Sequence, residues 1–496
     1  MEKNVYACVA VFCCAVFSAR AQTVTVDAAT FGFSPDAPAS NNVTALQNAL
    51  DGGKKTVTVM HPGEYRLNAR VYIDSDTKLV FGPGVVLSKT GRYDFVLINR
   101  GAPTRTWNEN IAIDGLTIRV NGVDVCPSSG QPLYGLRGHL TMYFAKNVTV
   151  TRFTCTDVAK GQFCLHFCQF DRLLLDTFEI RGGKDGVHVG AGKNFVIRNG
   201  VCATGDDAIA LNAQDYPSSQ PMQGNIADGV VENVTDEHKE ATGGNAVRML
   251  AGAWPDWRSG MLLRNGDTVR NGKNVYRVVR KETGKDVASV EAPVHAEGAW
   301  TDSAGLTFCF NQNDGAVQAN VTNVIFRNMQ FKEDRNCFKA SWDFCSANRA
   351  IHPDTPKERI PVIDVSAQNV QSFVPRPLIV GNASFRARFE KIACPNQLAA
   401  LKGRDVACAL DVKGWRLANG LTATTPDVQF EASGTLNLRL DDVSQTRDIR
   451  LGFGKGARVR INGSASIGSL DGLSPDRGDS IRVGGVRKTY NGSAWE

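Results

Sequence analysis

The sequence predicts an all-β fold: a right-handed parallel β-helix, or solenoid, with an N-terminal capping helix and an inserted small β-rich subdomain. Three observations carry that expectation. Strand-like segments recur at a short period: Asn147-Val-Thr-Val150, Asp171-Arg-Leu-Leu-Leu175 and Asn194-Phe-Val-Ile197 begin 24 and 23 residues apart, each with a second short strand about 12 to 16 residues later. Similar pieces appear at Asn110-Ile-Ala-Ile113, Asn323-Val-Ile-Phe326 and Val362-Ile-Asp-Val365. The second strands superpose as Phe163-Cys-Leu-His166, Asp185-Gly-Val-His188, Asp207-Ala-Ile-Ala210, Asn245-Ala-Val-Arg248 and Asn336-Cys-Phe-Lys339. Finally, 48 of 496 residues are glycine, about 10 % against a usual ~7 %, which favours tight corners over long helices.

Period-2 alternation puts Leu165, Val187, Ile209, Val247 and Phe338 on one face, and His166, His188, Ala210, Arg248 and Lys339 on the other. A single coil cannot bury such an apolar face, but stacked coils make it a continuous core and leave the second column as an exposed ladder.

From the N-terminus, residues 1–21 combine charged Glu2 and Lys3, an apolar stretch from Val5 to Phe17, and a small-x-small end at Ala19-Arg20-Ala21. This reads as a secretory signal peptide, so the protein is expected to be secreted or periplasmic. Its removal takes away Glu2, Lys3 and Arg20 and leaves a net charge of +5. The segment Val43-Thr-Ala-Leu-Gln-Asn-Ala-Leu50 has helical spacing and is the expected cap, opening a unit that runs from 22 to 253 and carries the chemistry. Between 254 and 306 the coil period fails, and Asn265-Gly266, Asn271-Gly272 and Thr283-Gly284 punctuate short strands such as Asn274-Val-Tyr-Arg-Val-Val279. That insertion is expected to wall one end of a cleft. Residues 307–496 then continue the solenoid.

Composition narrows the function. With 56 Lys+Arg against 50 Asp+Glu and no basic run or aromatic-basic cluster, nucleic acid is not an expected partner. No apolar run after the leader is long enough to span a membrane, and a monomer is expected. Ten of the 13 cysteines remain after the leader, widely spaced, as core fillers with at most a few disulfides. Cys164, His166 and Cys168 share a strand face, but side chains on a flat strand run parallel rather than converging. Packing or a disulfide is expected there, and no metal and no cofactor.

The chemistry gathers at one corner. Asp206 and Asp207, in Thr204-Gly-Asp-Asp-Ala208, follow Asp185, in Gly183-Lys-Asp-Gly186, by 21 and 22 residues. One coil of separation is about 5 Å between strands. Three carboxyls so close cannot all ionise cheaply, so one pKa is expected to rise, as a general acid needs. A carboxyl that donates a proton and a carboxylate that activates water are the machinery of glycoside hydrolysis. Asx turns before successive strands are the competing explanation.

The stretch also resembles the polygalacturonase-type glycoside hydrolases of family 28, which have a pectin-lyase-like parallel β-helix and carry Asn-Thr-Asp-Gly and Gly-Asp-Asp on adjacent coils. Here these fall on Gly183-Lys-Asp185-Gly186 and Gly205-Asp206-Asp207, with Phe195-Val-Ile-Arg-Asn199 and the opening Thr56-Val-Thr-Val-Met-His-Pro-Gly-Glu-Tyr-Arg-Leu67 also in pattern. The likeness runs from about residue 27 to 250. It implies Asp206 as proton donor and Asp185 with Asp207 as the pair activating water for an inverting displacement. The family's Gly-His-Gly falls on Gly243-Gly-Asn-Ala246, replacing histidine by Asn245, and its Arg-Ile-Lys falls near Phe338-Lys-Ala-Ser341, leaving Lys339. Arg248 is positioned to supply the missing charge. His188, Asn245, Arg248 and Lys339 are therefore the expected substrate-binding residues, and the substrate is a polysaccharide or oligosaccharide containing galacturonate or galactose. Trp254, Trp257 and Trp342 are either sugar platforms or core. A lyase or epimerase on the same fold, abstracting a proton with His188 or Arg248, and a non-catalytic glycan-binding solenoid are the rival readings.

Overall fold

The computed structural model describes residues 24–496 apart from 240–242, 281–283, 343–350, 418–425, 444–448, 466, 473–479, 484–485, 490 and 494–495. The expected signal peptide lies outside the described residues. The chain forms a parallel β-helix: one large sheet system in which each strand pairs with the equivalent strand of the next coil. The apolar column is continuous, Leu140–Leu165–Val187–Ile209–Val247–Phe338–Ile379–Ala399–Val428 in direct register, every member buried. Parallel pairing runs on to Arg458–Val483 before a closing antiparallel hairpin, Ser480–Val483 with Val486–Thr489.

Coils turn at corners where a residue enters the left-handed region. Asn199, Asn233, Asn328 and Asn369 occupy one such corner at φ between 51° and 57°. Asparagine tolerates this conformation because its amide bonds locally. Here the amides stack: Asn233 Nδ2 donates to Asn199 Oδ1 at 3.0 Å, Asn328 to Asn233 at 2.8 Å and Asn369 to Asn328 at 2.7 Å. The Asn residues that open the sequence repeats at 147, 194 and 323 are thus corner residues, with positive φ, rather than the first residues of strands.

The helix Ala39–Leu50 covers the first coils and buries Leu46, Ala49 and Leu50. Gln47 ties it to the strand Val71–Ile73 by accepting from Tyr72 N at 2.8 Å and donating to Tyr72 O at 3.2 Å. Between Gly252 and Ala319 the pairing becomes antiparallel, including a four-stranded sheet from Thr268–Asn271, Asn274–Val279, Ala299–Thr301 and Thr307–Asn313 around its own apolar cluster of Leu263, Val269, Tyr276, Val278, Leu306 and Phe308. Among the described residues no helix is long and apolar enough to cross a membrane.

The outer column departs from the expected exposed ladder. Thr141, His166, His188 and Ala210 are all fully buried. Segments 133–137 and 213–223 close over them, bringing Leu133, Leu136 and Met222 into a second apolar cluster with Phe95, Tyr143 and Cys168. Alternation in a strand says which side a residue faces; it does not say whether a loop covers that side.

Candidate functional site

The three aspartates meet as the coil spacing requires. Asp185 and Asp207 occupy equivalent places on adjacent coils, their strands paired through Val187–Ile209, and the three carboxylates offer oxygens all within 4.8 Å of one another. Their exposure differs sharply: the side chain of Asp206 is 30 % exposed, that of Asp185 4 % and that of Asp207 1 %. Gly244, one coil beyond Asp206, keeps the space open, since a Cβ there would lie 2.5 Å from Asp206 Oδ1 and the residue sits at φ +66°.

Each acid has its own support. Asp207 Oδ1 accepts from both the backbone N and the side-chain amide of Asn245, each at 2.8 Å, and its Oδ2 lies 3.5 Å from Arg248 Nη1. Asn245 in turn accepts from Asn336 at 3.1 Å. Asp185 Oδ2 is 2.9 Å from His188 Nδ1, while its buried Oδ1 has no hydrogen-bond partner and lies 3.6 Å from Lys184 Nζ. Burial opposes the charge on Asp185, but the His188 hydrogen bond and the charges of Lys184, His188 and Arg248 together hold its carboxyl below the ordinary range. The pKa expected to rise in the cluster is therefore not that of Asp185.

Besides the His188 hydrogen bond, the largest of these lowering influences, one cation whose place the spacing also gave stands among the acids. Lys184 pairs with Asp206 across adjacent coils and sits among the acids with its side chain 21 % exposed. The same 22-residue step that stacks Asp185 beneath Asp207 stacks Lys184 beneath Asp206, so the signal was present in the sequence. Arg335 falls in that column two coils later. It is buried, donates to Asp236 Oδ2 at 3.0 Å, and holds the backbone carbonyls of Thr204 and Asp206. Burial pushes the Asp236 carboxyl up against the opposing pull of Arg335.

The expected substrate-binding residues fare differently. His188 is sealed inside, stacked on Phe163 at 4.1 Å and 3.6 Å from Asp215 through Nε2, so it orients Asp185 rather than reaching solvent. Asn245 is also buried and is spent on Asp207. Arg248 is 15 % exposed, with burial opposing its charge and Asp207, Asp215 and Asp185 outweighing that cost. Lys339 is half-buried in register with Arg248. Of the tryptophans, Trp254 is core, with Nε1 donating to Ala316 O at 2.8 Å; Trp257 and Trp342 are half-buried.

Asp215 and Arg277 had no sequence signal. Arg277, from the antiparallel insertion, is buried and donates to Asp215 O, while Asn311 Nδ2 donates to Pro221 O at 2.6 Å. The insertion is thus fastened to the segment that roofs His188. As for a metal, the three aspartates form a group with ligand-compatible spacing, but the Lys184 ammonium already sits against them. Cys164 turns into the core beside Cys155 and Cys202, whereas Cys168 packs in the outer cluster, so these thiols and His166 do not converge. All described cysteines are free thiols, so of the two expectations for Cys164 and Cys168, packing or a disulfide, packing is what the structure has.

The sequence matches no protein-family model and no curated protein. Solved structures do match. A tailspike protein of Escherichia coli bacteriophage HK620, solved in complex with a pentasaccharide, aligns over 93 % of this chain and 78 % of its own with a TM-score of 0.51 and 12 % identity. A family 28 exopolygalacturonase from Yersinia enterocolitica aligns over 94 % and 78 % (TM-score 0.45, 13 % identity), and an exopolygalacturonase from Thermotoga maritima over 95 % and 95 % (TM-score 0.45, 11 % identity). This chain shares their parallel β-helix architecture.

Proposed function

We propose that the protein is a secreted, monomeric glycoside hydrolase that cleaves a galacturonate- or galactose-containing polysaccharide or oligosaccharide with inversion. The observation that carries this reading is the convergence of Asp185, Asp206 and Asp207 within 4.8 Å at a corner where Asp206 alone is substantially open. Asp206 is the acid, since a donor must reach the glycosidic oxygen. Asp185 orients water through the Oδ1 that accepts no hydrogen bond and lies 3.6 Å from Lys184 Nζ, and Asp207, whose Oδ1 accepts two hydrogen bonds from Asn245, contributes charge. The acids stand closer than the ~6.5–9.5 Å usual for an inverting pair, so inversion rests on the likeness to family 28 and not on this spacing. Likeness to family 28 supports the assignment, as does the apolar leader for secretion.

The test is reducing-sugar release from pectic, galactan and carrageenan substrates, with product anomers followed by NMR. Replacing Asp206 by Asn is expected to lower kcat by about 10²–10⁴-fold. A retained anomer would overturn inversion. Lys184 and Arg248, both partly exposed beside the acids, support a second reading, proton abstraction by a lyase or epimerase, and an ultraviolet-absorbing product that persists in Asp206→Asn would establish the lyase. Glycan binding without turnover, unchanged in that variant, would indicate a binding solenoid.

A further inference from the structure

We propose that Lys184 is the specificity-determining residue of this cluster: an anionic group on the sugar, carboxylate or sulfate, takes over its ammonium and thereby releases Asp206. The proposal rests on reading the cluster as a glycan site and concerns what opens it.

Asp206 is engaged. Its carboxylate is paired with Lys184, and a carboxylate in an ion pair holds no proton to give. Of the three acids it is the one a sugar can reach, and Lys184, 21 % exposed, lies at the same opening with its ammonium 5.9 Å from the Phe163 ring centroid. Two further cations around the acids are committed elsewhere. Arg248 faces Asp207, and Arg335 is buried on Asp236 and the Asp206 backbone. Exposed Lys160 stands on the preceding coil, so close to Gly183 that a Cβ on that glycine would lie 2.9 Å from Lys160 Cγ.

The two substrate classes then differ in cost. Any sugar that displaces Lys184 leaves Asp206 beside Asp185 and Asp207, like charges within 4.8 Å, so that Asp206 takes up a proton from solvent and becomes the acid; a neutral sugar in addition leaves the ammonium without a partner. An anionic sugar exchanges one carboxylate partner of the ammonium for another, and the lysine keeps a charge-assisted hydrogen bond throughout. Discrimination comes from the pair that must be broken as well as from the new contact formed.

The experiment compares wild type, Lys184→Met and Lys184→Arg in the full chain, using oligogalacturonate, carrageenan oligosaccharide and neutral galactan oligosaccharide in turnover and in calorimetric binding. Losing one charge-assisted contact is expected to lower kcat/KM and affinity for an anionic probe in Lys184→Met by about 10- to 100-fold more than for neutral galactan, with Lys184→Arg recovering most of that difference. Response to oligogalacturonate identifies the group as carboxylate, and response to carrageenan identifies it as sulfate. An equal loss on anionic and neutral probes would reduce Lys184 to a structural role and overturn the proposal, as would the absence of any Lys184-dependent binding or cleavage. The two readings separate cleanly. Lys184-dependent binding of an anionic probe without cleavage removes hydrolysis and keeps the switch, whereas cleavage of an anionic probe indifferent to Lys184 keeps hydrolysis and removes the switch.

Discussion

The coils between Gly138 and Leu250 and those between Ile363 and Gly463 have the same inward plan and opposite exteriors. In both, alternate residues stack into buried apolar columns, such as Leu165–Val187–Ile209 in the first and Ile363–Phe385–Cys408–Leu436–Val459 in the second. Outside the first, a roof of loops buries His166, His188, Asp185, Asp207 and Gln220. Outside the second, on the neighbouring face that continues the ladder Asp171–Lys193–Ala227–Thr322, the residues Asp364, Arg386, Arg388, Asp411, Arg439 and Asn462 line an open groove of ≈ 270 Å³. From Ser372 onward the buried polar side chains among the described residues are Ser372, Gln397 and Asp427. Stacking therefore provides the address of every outward side chain in both regions, and covering decides which addresses become chemistry. A covered polar group must find partners, because leaving it unpaired costs kilocalories.

The largest effect is expected where the covered region buries an ion pair. Arg335→Met leaves Asp236 charged, buried and unpaired and frees the backbone of Asp206, so a loss of about 3–5 kcal/mol in urea unfolding is expected, together with loss of turnover. A loss below ~1 kcal/mol would show that buried charge is not what distinguishes the two halves.

A smaller, pH-dependent effect belongs to Lys89, also buried in the earlier coils, where its ammonium bonds Asp94 O at 2.5 Å and Gln162 Oε1 at 3.0 Å. Burial lowers its pKa from 10.5 to about 8, against the opposing charge of Asp94. Between those values the unfolded chain holds the proton that the folded chain has lost, so stability rises as pH climbs from about 8 toward 10.5. Relative to Lys89→Met, wild type should gain roughly 2–3 kcal/mol on going from pH 7 to pH 10 at ~1.4 kcal/mol per unit. Parallel behaviour of the two proteins across that range would remove the burial argument.

The smallest effect is expected on the open side. Arg388 is exposed above Asp411 in the next coil, and Arg388→Ala should alter unfolding by less than about 0.5 kcal/mol and leave turnover unchanged. A change in turnover would mean that the later coils take part in the reaction.

Much of this was legible in the chain itself. The 22-residue step between Asp185 and Asp207 puts both at one corner, and it also puts Lys184 under Asp206, a consequence that an eye on carboxylates alone passes over. The apolar columns followed from alternation. Burial of His188 and Asn245 did not follow, since it depends on segments 133–137 and 213–223 and on Arg277 reaching in from the insertion. Nor did the separation of Cys164 from Cys168, because alternation lapses at the corner where Cys164 turns inward.

By itself, then, the sequence determined the coil period, the core columns and the meeting of three aspartates, because register in a parallel stack is a matter of counting residues. The tertiary structure decided which of those aspartates meets solvent, which cation holds it and which histidine is sealed behind it. Those outcomes rest on loops that pack across coils, and packing between segments distant in sequence leaves no periodic trace for counting to find.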